Sequence, residues 1–324
     1  MKLTFLGTAS ATPSRGRNVS ALGLQLEQRS EWWLFDCGEA TQHQVMRSPL
    51  SLHGLRRIFL THLHGDHCYG LPGLLATRGL QGGVDPIDLY GPPGISEMLA
   101  TIQRVTGSRC SYPLQMHEAL TAPNAQTLPQ IWHEDNEYIV RAIEVPHGPR
   151  TFSFIIEEKP QPGRFRVDDA KALGIAPGPL YSRLKNGERV KLDDGREIDG
   201  ATLVDPPRSG RKLVLISDTT NGSAALPFAQ DADLVIHEAT YLESTDAELA
   251  REHRHSTAAS AGRFATKANA KKLVLTHFSP RYDRVEPGAK TIADLVHEAR
   301  THFPNGDVFA AHDFFSLEIP RHEK

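Results

Sequence analysis

Short apolar runs recur along the chain, and most stop at a residue with chemistry of its own. Leu3 to Leu6 runs into a Gly-Thr turn, and Trp32 to Phe35 ends at Asp36-Cys37-Gly38. Ile58 to Leu60 ends near His62, and Tyr138 to Val145 ends at Pro146-His147-Gly148. Lys212 to Ile216 reaches Ser217-Asp218, Leu234 to Ile236 reaches His237-Glu238, and Lys272 to Leu275 reaches Thr276-His277. Such runs, bounded by turn residues, predict strands. Helical patterns lie between them at about Ala40 to Met46, Gly94 to Val105, Thr257 to Lys267 and Ala289 to His302. Strands with interspersed helices predict a layered α/β architecture. If the strand ends share one edge of a sheet sandwich, their polar residues converge there.

One stretch departs from this pattern. From Gly163 to Arg211 there is little apolar periodicity, while Pro177-Gly178-Pro179, Asn186-Gly187, Asp194-Gly195 and Pro206-Pro207 signal turns. Arg189-Val190-Lys191-Leu192 alternates like a strand. The reading is a flexible, extended arm without its own core, residues 163–211, carrying a small hairpin and inserted in a single domain of residues 1–324. Arg183, Lys185, Arg189 and Lys191 face only Glu188 over a short span. They suit a clamp on a phosphate backbone, or equally a solvated charged hairpin.

The densest chemistry is His62-Leu63-His64-Gly65-Asp66-His67. Three imidazoles and a carboxylate in one turn are too many for a single tetrahedral ion and read as half of a two-metal site. His147, Asp218 and His277, each at a strand end, complete it. One metal is expected on His62, His64 and His147, the other on Asp66, His67 and His277, with Asp218 bridging. The shared position suits a water that two cations activate near neutral pH. Zinc fits an imidazole-rich, thiolate-free set, which also accepts manganese or iron. Asp36 either fixes the tautomer of a ligand histidine or caps the turn at Gly38. His255 oriented by Glu238 makes a general acid for a leaving oxygen; the alternative is a capping turn with a buried ion pair.

Composition narrows the setting. With 39% hydrophobic and 23% charged residues the chain suits a soluble globular protein, and its net charge of -3 means any polyanion site is a local basic patch. The cysteines, Cys37, Cys68 and Cys110, are odd in number and form no C-x-x-C pair. No membrane span or signal peptide is legible, and a cytoplasmic location is expected.

Together these residues resemble the metallo-β-lactamase superfamily and, within it, the tRNA 3′-processing endonucleases called ribonuclease Z or ribonuclease BN. The superfamily match lies in His62-x-His64-x-Asp66-His67 with His147, Asp218 and His277. The family match lies in Phe5-Leu6-Gly7-Thr8 with Arg17-Asn18-Val19, Phe35 to Gln42, and Gly65 to Leu74. It also lies in His237-Glu238-Ala239-Thr240 with His255-Ser256-Thr257, and it runs from Lys2 to about Pro320.

The resemblance implies an αββα four-layer sandwich, two zinc ions per subunit and a homodimer in which one subunit's arm grips the tRNA processed by the other. Ala176-Pro177-Gly178-Pro179-Leu180-Tyr181 looks like the family's tRNA-gripping exosite, so Pro177, Gly178 and Pro179 join the arm cations as expected contacts. The implied reaction removes the 3′ trailer of precursor tRNA after the discriminator nucleotide and leaves a 3′-hydroxyl. Asp66 can accept the proton of the attacking water, and His255 protonates the departing ribose oxygen. Two alternatives stand beside this. A lactonase-like or arylsulfatase-like hydrolase of the same fold does not account for the arm or the His-Glu-Ala-Thr and His-Ser-Thr segments. A non-catalytic RNA-binding relative does not need a complete ligand set.

Overall fold

The computed structural model describes residues 1–119, 129–283 and 286–322. It divides into two units. The larger is Met1–Glu157 with Lys212–Pro320; the smaller is Glu158–Arg211 with Arg321 and His322.

In chain order the larger unit opens with strands β1 (Lys2–Gly7), β2 (Ala21–Gln25) and β3 (Trp32–Phe35) and helix α1 (Thr41–Met46). Strand β4 (Leu55–Phe59), helices α2 (Gly65–Cys68) and α3 (Leu71–Leu80), strand β5 (Ile87–Gly91), helix α4 (Ile95–Thr106) and strand β6 (Leu114–Glu118) follow. Then come β7 (Gln130–Glu134), β8 (Tyr138–Val145) and β9 (Thr151–Glu158). The smaller unit holds α5 (Val167–Ala172), α6 (Pro179–Lys185) and the hairpin β10 (Arg189–Lys191) and β11 (Glu197–Asp199). The larger unit resumes with β12 (Lys212–Ile216), β13 (Leu234–Glu238), α7 (Glu243–Glu252), α8 (Ala258–Lys267), β14 (Lys272–Thr276), α9 (Ile292–His302), β15 (Asp307–Ala310) and β16 (Ser316–Glu318).

Two seven-stranded sheets result, ordered β16-β1-β2-β3-β4-β5-β6 and β15-β14-β13-β12-β9-β8-β7. The two-residue strand period decides the layering. On β12 and β13, Leu213, Leu215, Leu234 and Ile236 join Phe5, Trp33, Phe59 and Phe154 in a core between the sheets. Their alternates Val214, Ile216 and Val235 face Ala258, Ala261, Phe264, Leu295 and Ala299 of α8 and α9. On the outer face of the first sheet, Leu34, Ile58, Leu60 and Leu89 meet Leu71, Leu74, Leu75, Ile95 and Leu99 of α3 and α4. This is the αββα sandwich.

Strands β3 and β4 run parallel, as do β12, β13 and β14. Strand β9 is antiparallel to β12, and β8 returns antiparallel to β9, so β8 runs the same way as β12. The C-terminal ends of these strands thus gather on common edges, as the run-then-ligand pattern predicts.

The smaller unit differs from expectation. It is not coreless: Phe165, Ala170, Ile175, Leu184, Val190 and Leu203 form a cluster of their own. These residues stand at least five positions apart, so no short window shows a periodicity. The predicted hairpin is present, with Arg189 opposite Asp199 and Lys191 opposite Glu197.

The unit begins and ends at a buried ion pair. Arg211 donates from Nε to Glu158 Oε2 at 2.7 Å and from Nη2 to Oε1 at 2.8 Å, and the Glu158 N–H donates to Arg211 O at 2.9 Å. Both side chains are almost wholly buried. Removing one charge strands the other, at a cost of about 3 kcal/mol or more. Burial by itself would raise the Glu158 carboxyl, but Arg211 outweighs it and the net shift is downward. The pair's stabilisation is therefore complete above the ordinary glutamate range and is lost as pH falls through the lowered value. Glu158→Gln is expected to lower the melting temperature at neutral pH, with the gap to wild type closing only as pH falls below the ordinary glutamate range. A gap unchanged across that range in a melting series would rule the pair out as its source.

Candidate metal centre

The candidate ligands sit just past strands, except Asp66 and His67, which lie in the short helix α2 that follows the β4 loop. Asp36 and His277 take left-handed φ values of 58° and 60°, costly for residues with a Cβ, and these turns direct both side chains inward. The 62–67 loop lies directly over the Asp36-Cys37-Gly38 turn: a Cβ on Gly70 would stand 1.9 Å from Gly38 O, and one on Gly38 would stand 2.4 Å from Asp66 O. Glycine at both positions allows this approach.

The hydrogen bonds fix which nitrogen of each ring faces inward. His67 donates from Nδ1 to Asp36 Oδ2 at 2.8 Å. Thr61 donates its hydroxyl to Asp36 and receives His62 Nδ1 at 2.9 Å. Thr240 donates to Glu238 Oε2 at 2.6 Å and receives His277 Nδ1 at 3.0 Å. His147 Nδ1 donates to the carbonyl of Arg254 at 2.8 Å, and Arg254 is itself left-handed at φ 60°. With every Nδ1 proton committed, the Nε2 lone pairs of His62, His67, His147 and His277 point at shared positions. His64 presents Nδ1 instead, 3.0 Å from His62 Nε2 and 3.4 Å from His147 Nε2.

Two groups hold the expected ligands, His62, His64, His147 and Asp218 in one and Asp66, His67 and His277 in the other, and a third joins Asp218 and His277 to His255; within each, one ligand atom per residue lies within 4.8 Å of the rest. His67 Nε2 and His277 Nε2 lie 3.2 Å apart, and Asp218 Oδ2 lies 3.4 Å from each. The same oxygen lies 3.8 Å from His62 Nε2 and 3.9 Å from His147 Nε2, so it touches both groups. Lone pairs facing one another at such distances, beside carboxylates, are the donor chemistry of a cation site. Burial opposes ionisation of Asp66 and Asp218, yet the facing imidazoles hold both well below the usual carboxylate range. Burial pushes the Cys37 thiol up and the Cys68 thiol to about 12, so neither offers a thiolate.

Glu238 is fully buried and accepts from the backbone N–H groups of Thr219 at 3.0 Å and Ser256 at 2.8 Å. Its Oε1 lies 3.3 Å from His255 Nδ1, which is also 3.9 Å from Asp218 Oδ2. Burial works against a charged His255 ring, but Glu238 raises it to about 9. His237 turns away, with Nδ1 on the carbonyl of Glu238 at 2.6 Å and its ring on Phe264.

The sequence-predicted residues thus separate into two sets. His62, His64, Asp66, His67, His147, Asp218, Glu238, His255 and His277 gather at one place. Pro177, Gly178, Pro179, Arg183, Lys185, Arg189 and Lys191 belong to the smaller unit. There Arg183 pairs with Glu188 at 2.9 Å and Arg189 with Asp199 at 3.3 Å, which spends two of the four clamp cations internally. Sequence reasoning missed Thr61 and the Arg254 carbonyl, and it named Thr240 in the His-Glu-Ala-Thr segment without its role; all three set the tautomers. It also missed the Ala11 N–H, which donates to Asp66 Oδ2 at 2.8 Å. Thr61 directly precedes His62, the only signal that singles it out.

The chain is similar to several known proteins. The family model described as Anti-Pycsar protein Apyc1 matches residues 1–159. The chain is 48% identical over 322 residues to a ribonuclease Z of Trichodesmium erythraeum (strain IMS101), covering 99% of this chain and 96% of that one. Human tRNase Z, short form, superposes with a TM-score of 0.70 at 30% identity, covering 99% of this chain and 100% of that one. The metallo-β-lactamase fold protein YhfI of Bacillus subtilis superposes with a TM-score of 0.64 at 19% identity over 98% of each chain, a likeness of fold.

Proposed function

The chain belongs to the ribonuclease Z family, and on that footing we propose that it is a metal-dependent endoribonuclease that cuts precursor tRNA after the discriminator nucleotide and leaves a tRNA 3′-hydroxyl. The observation that carries this is one buried carboxylate, Asp218, shared by two imidazole groups with the charged His255 beside it. We propose zinc at both positions: His62, His64 and His147 would hold one ion, Asp66, His67 and His277 the other, and Asp218 would touch both. Bound there, such ions supply charge neutralisation at a phosphoryl group and lower the pKa of water.

The chain's own residues do the rest. Asp36, Thr61 and Thr240 hold the imidazoles in one tautomer, so the site needs no reorganisation during reaction. Asp66, which accepts the Ala11 N–H at 2.8 Å, would hold its ion and accept the proton of the attacking water. His255, protonated by virtue of Glu238, donates its proton to the departing ribose oxygen. His255→Ala is expected to slow single-turnover cleavage by roughly 10²- to 10⁴-fold while metal content holds. In the wild type the rate should fall as pH rises toward about 9, where the ring loses its proton, and earlier where bound cations lower that value. A variant with the wild-type rate and the same basic limb would remove His255 from the reaction.

A homodimer and a cytoplasmic location complete the proposal. Exposed Met46, Leu80 and Val84 on and beside the adjoining α1 and α3 suit burial against a second copy. No helix of the described residues is long and apolar enough to cross a membrane. The primary test is incubation with a 3′-extended precursor tRNA, with and without a chelator, mapping both product ends. A single chelator-sensitive cut after the discriminator is expected. Turnover of a small ester or lactone without any cut would favour the small-molecule hydrolase.

A further inference from the structure

The smaller unit contains a cavity of about 650 Å³ lined by Gln161, Arg164, Phe165, Tyr181, Lys185, Arg208, Ser209, Arg321 and His322, with Glu158 on its wall. That volume lies within the range of small-ligand sites. Its charge is one-sided. Glu158, the carboxylate in the lining, is already engaged through both oxygens by the buried Arg211. Elsewhere in the unit arginines are neutralised in place: Arg166 by Asp169, Arg183 by Glu188, Arg189 by Asp199 and Arg196 by Asp194.

Arg164 and Arg208 are not. Neither has an acidic partner among the described residues, and Arg208 Nε is buried without any acceptor. A buried N–H donor left unpaired costs about 1–3 kcal/mol, so this arrangement calls for an acceptor from outside the chain. Two aromatic rings also line the cavity, tilted 57° to one another. The Phe165 and Tyr181 rings lie 5.0 Å apart, and the Tyr181 hydroxyl is held by the Ile175 carbonyl at 2.9 Å. Ser209 bonds His322 at 2.7 Å, which fixes that ring on the cationic side.

We propose that this cavity is a second ligand site that takes a phosphate group, with Arg164 and Arg208 as its principal contacts and the Phe165–Tyr181 pair beside whatever the phosphate carries. The phosphate can come from a free nucleoside monophosphate or from the backbone of an RNA. Guanidinium groups on a phosphate fit both sources. The site stands on the smaller unit's own residues and does not depend on the ribonuclease reading.

The test uses the full chain carrying Asp218→Ala, in chelator, so that the metal centre cannot report. Titration calorimetry measures inorganic phosphate and adenosine monophosphate, and filter binding measures precursor tRNA across a salt series. Arg164→Gln removes an exposed cation and should leave folding intact; Arg208→Gln removes the half-buried one with the unpaired Nε. Saturable phosphate or monophosphate binding that each variant weakens about tenfold or more supports the free-ligand source. No small-ligand binding, with tRNA affinity down about tenfold and the salt slope reduced by about one in Arg164→Gln, supports the backbone source. Unchanged affinity for all three probes in Arg164→Gln overturns the proposal, whatever Arg208→Gln does.

Discussion

Asp218→Ala is expected to lower precursor cleavage by far more than about a hundredfold, the upper range for losing a partner that merely orients a ligand. Metal content should fall at both positions. Asp218 is buried, and its Oδ2 lies 3.4 Å from His67 and His277 and within 3.9 Å of His62 and His147. Among the described residues Asp218 belongs to two ligand groups, one with His62, His64 and His147 and one with His255 and His277. Loss of that carboxylate leaves imidazole lone pairs 3.2 Å apart with one anionic neighbour fewer, so cations bind each position less tightly. Asp66→Ala is the informative contrast, because Asp66 is grouped only with His67 and His277. Elemental analysis of the purified protein and single-turnover cleavage measure both effects. Near-normal metal and activity in Asp218→Ala would sink the assignment of the site.

Replacing residues 159–210 by a two-residue turn is expected to cripple cleavage of precursor tRNA while sparing hydrolysis of a small phosphodiester such as bis(p-nitrophenyl) phosphate. The surgery is structurally modest, because the Glu158 N–H already donates to Arg211 O at 2.9 Å and the ion pair between them is retained. The candidate metal ligands all lie outside the excised stretch. The removed stretch carries Pro177, Gly178 and Pro179, the arm cations, and most of the cationic cavity. The ratio of the two kcat/KM values decides the matter: a selective fall supports a tRNA-gripping role, and an equal fall on both substrates makes the unit structural.

The gathering of the candidate ligands was legible in the sequence because its signal is local: four donor side chains in six residues, then single donors at strand ends. Of the tautomer-setting groups Asp36 was legible, at the end of its strand, whereas Thr61 and Thr240 are not ligand-type residues and the Arg254 carbonyl belongs to the backbone and carries no residue signature. Strands β5, β6 and β7 were missed because they lack sustained apolar alternation; β6 is an edge strand with Gln115, His117 and Glu118 exposed. Helix α3 was missed because Pro72 and Gly73 interrupt its pattern, although Leu71, Leu74 and Leu75 form its buried stripe. The small core of the inserted unit escaped for the same reason that it is small: few apolar residues, widely spaced.

The position of the insertion bears on how fast the protein can fold. Strands β9 and β12 are antiparallel neighbours in register from Phe154 with Leu215 to Glu157 with Lys212, and they join the two halves of the second sheet. Residues 158–211, nearly all of the smaller unit, lie between them in the chain. An unstructured loop of that length must lose its closure entropy before the strands can meet. A smaller unit that folds early holds its own ends together and turns a distant pairing into something close to a hairpin, so the contact order felt by the larger unit drops. The insertion then acts as a nucleation clamp, and a defect at Phe165 or Leu184 would delay completion of a sheet to which neither residue belongs.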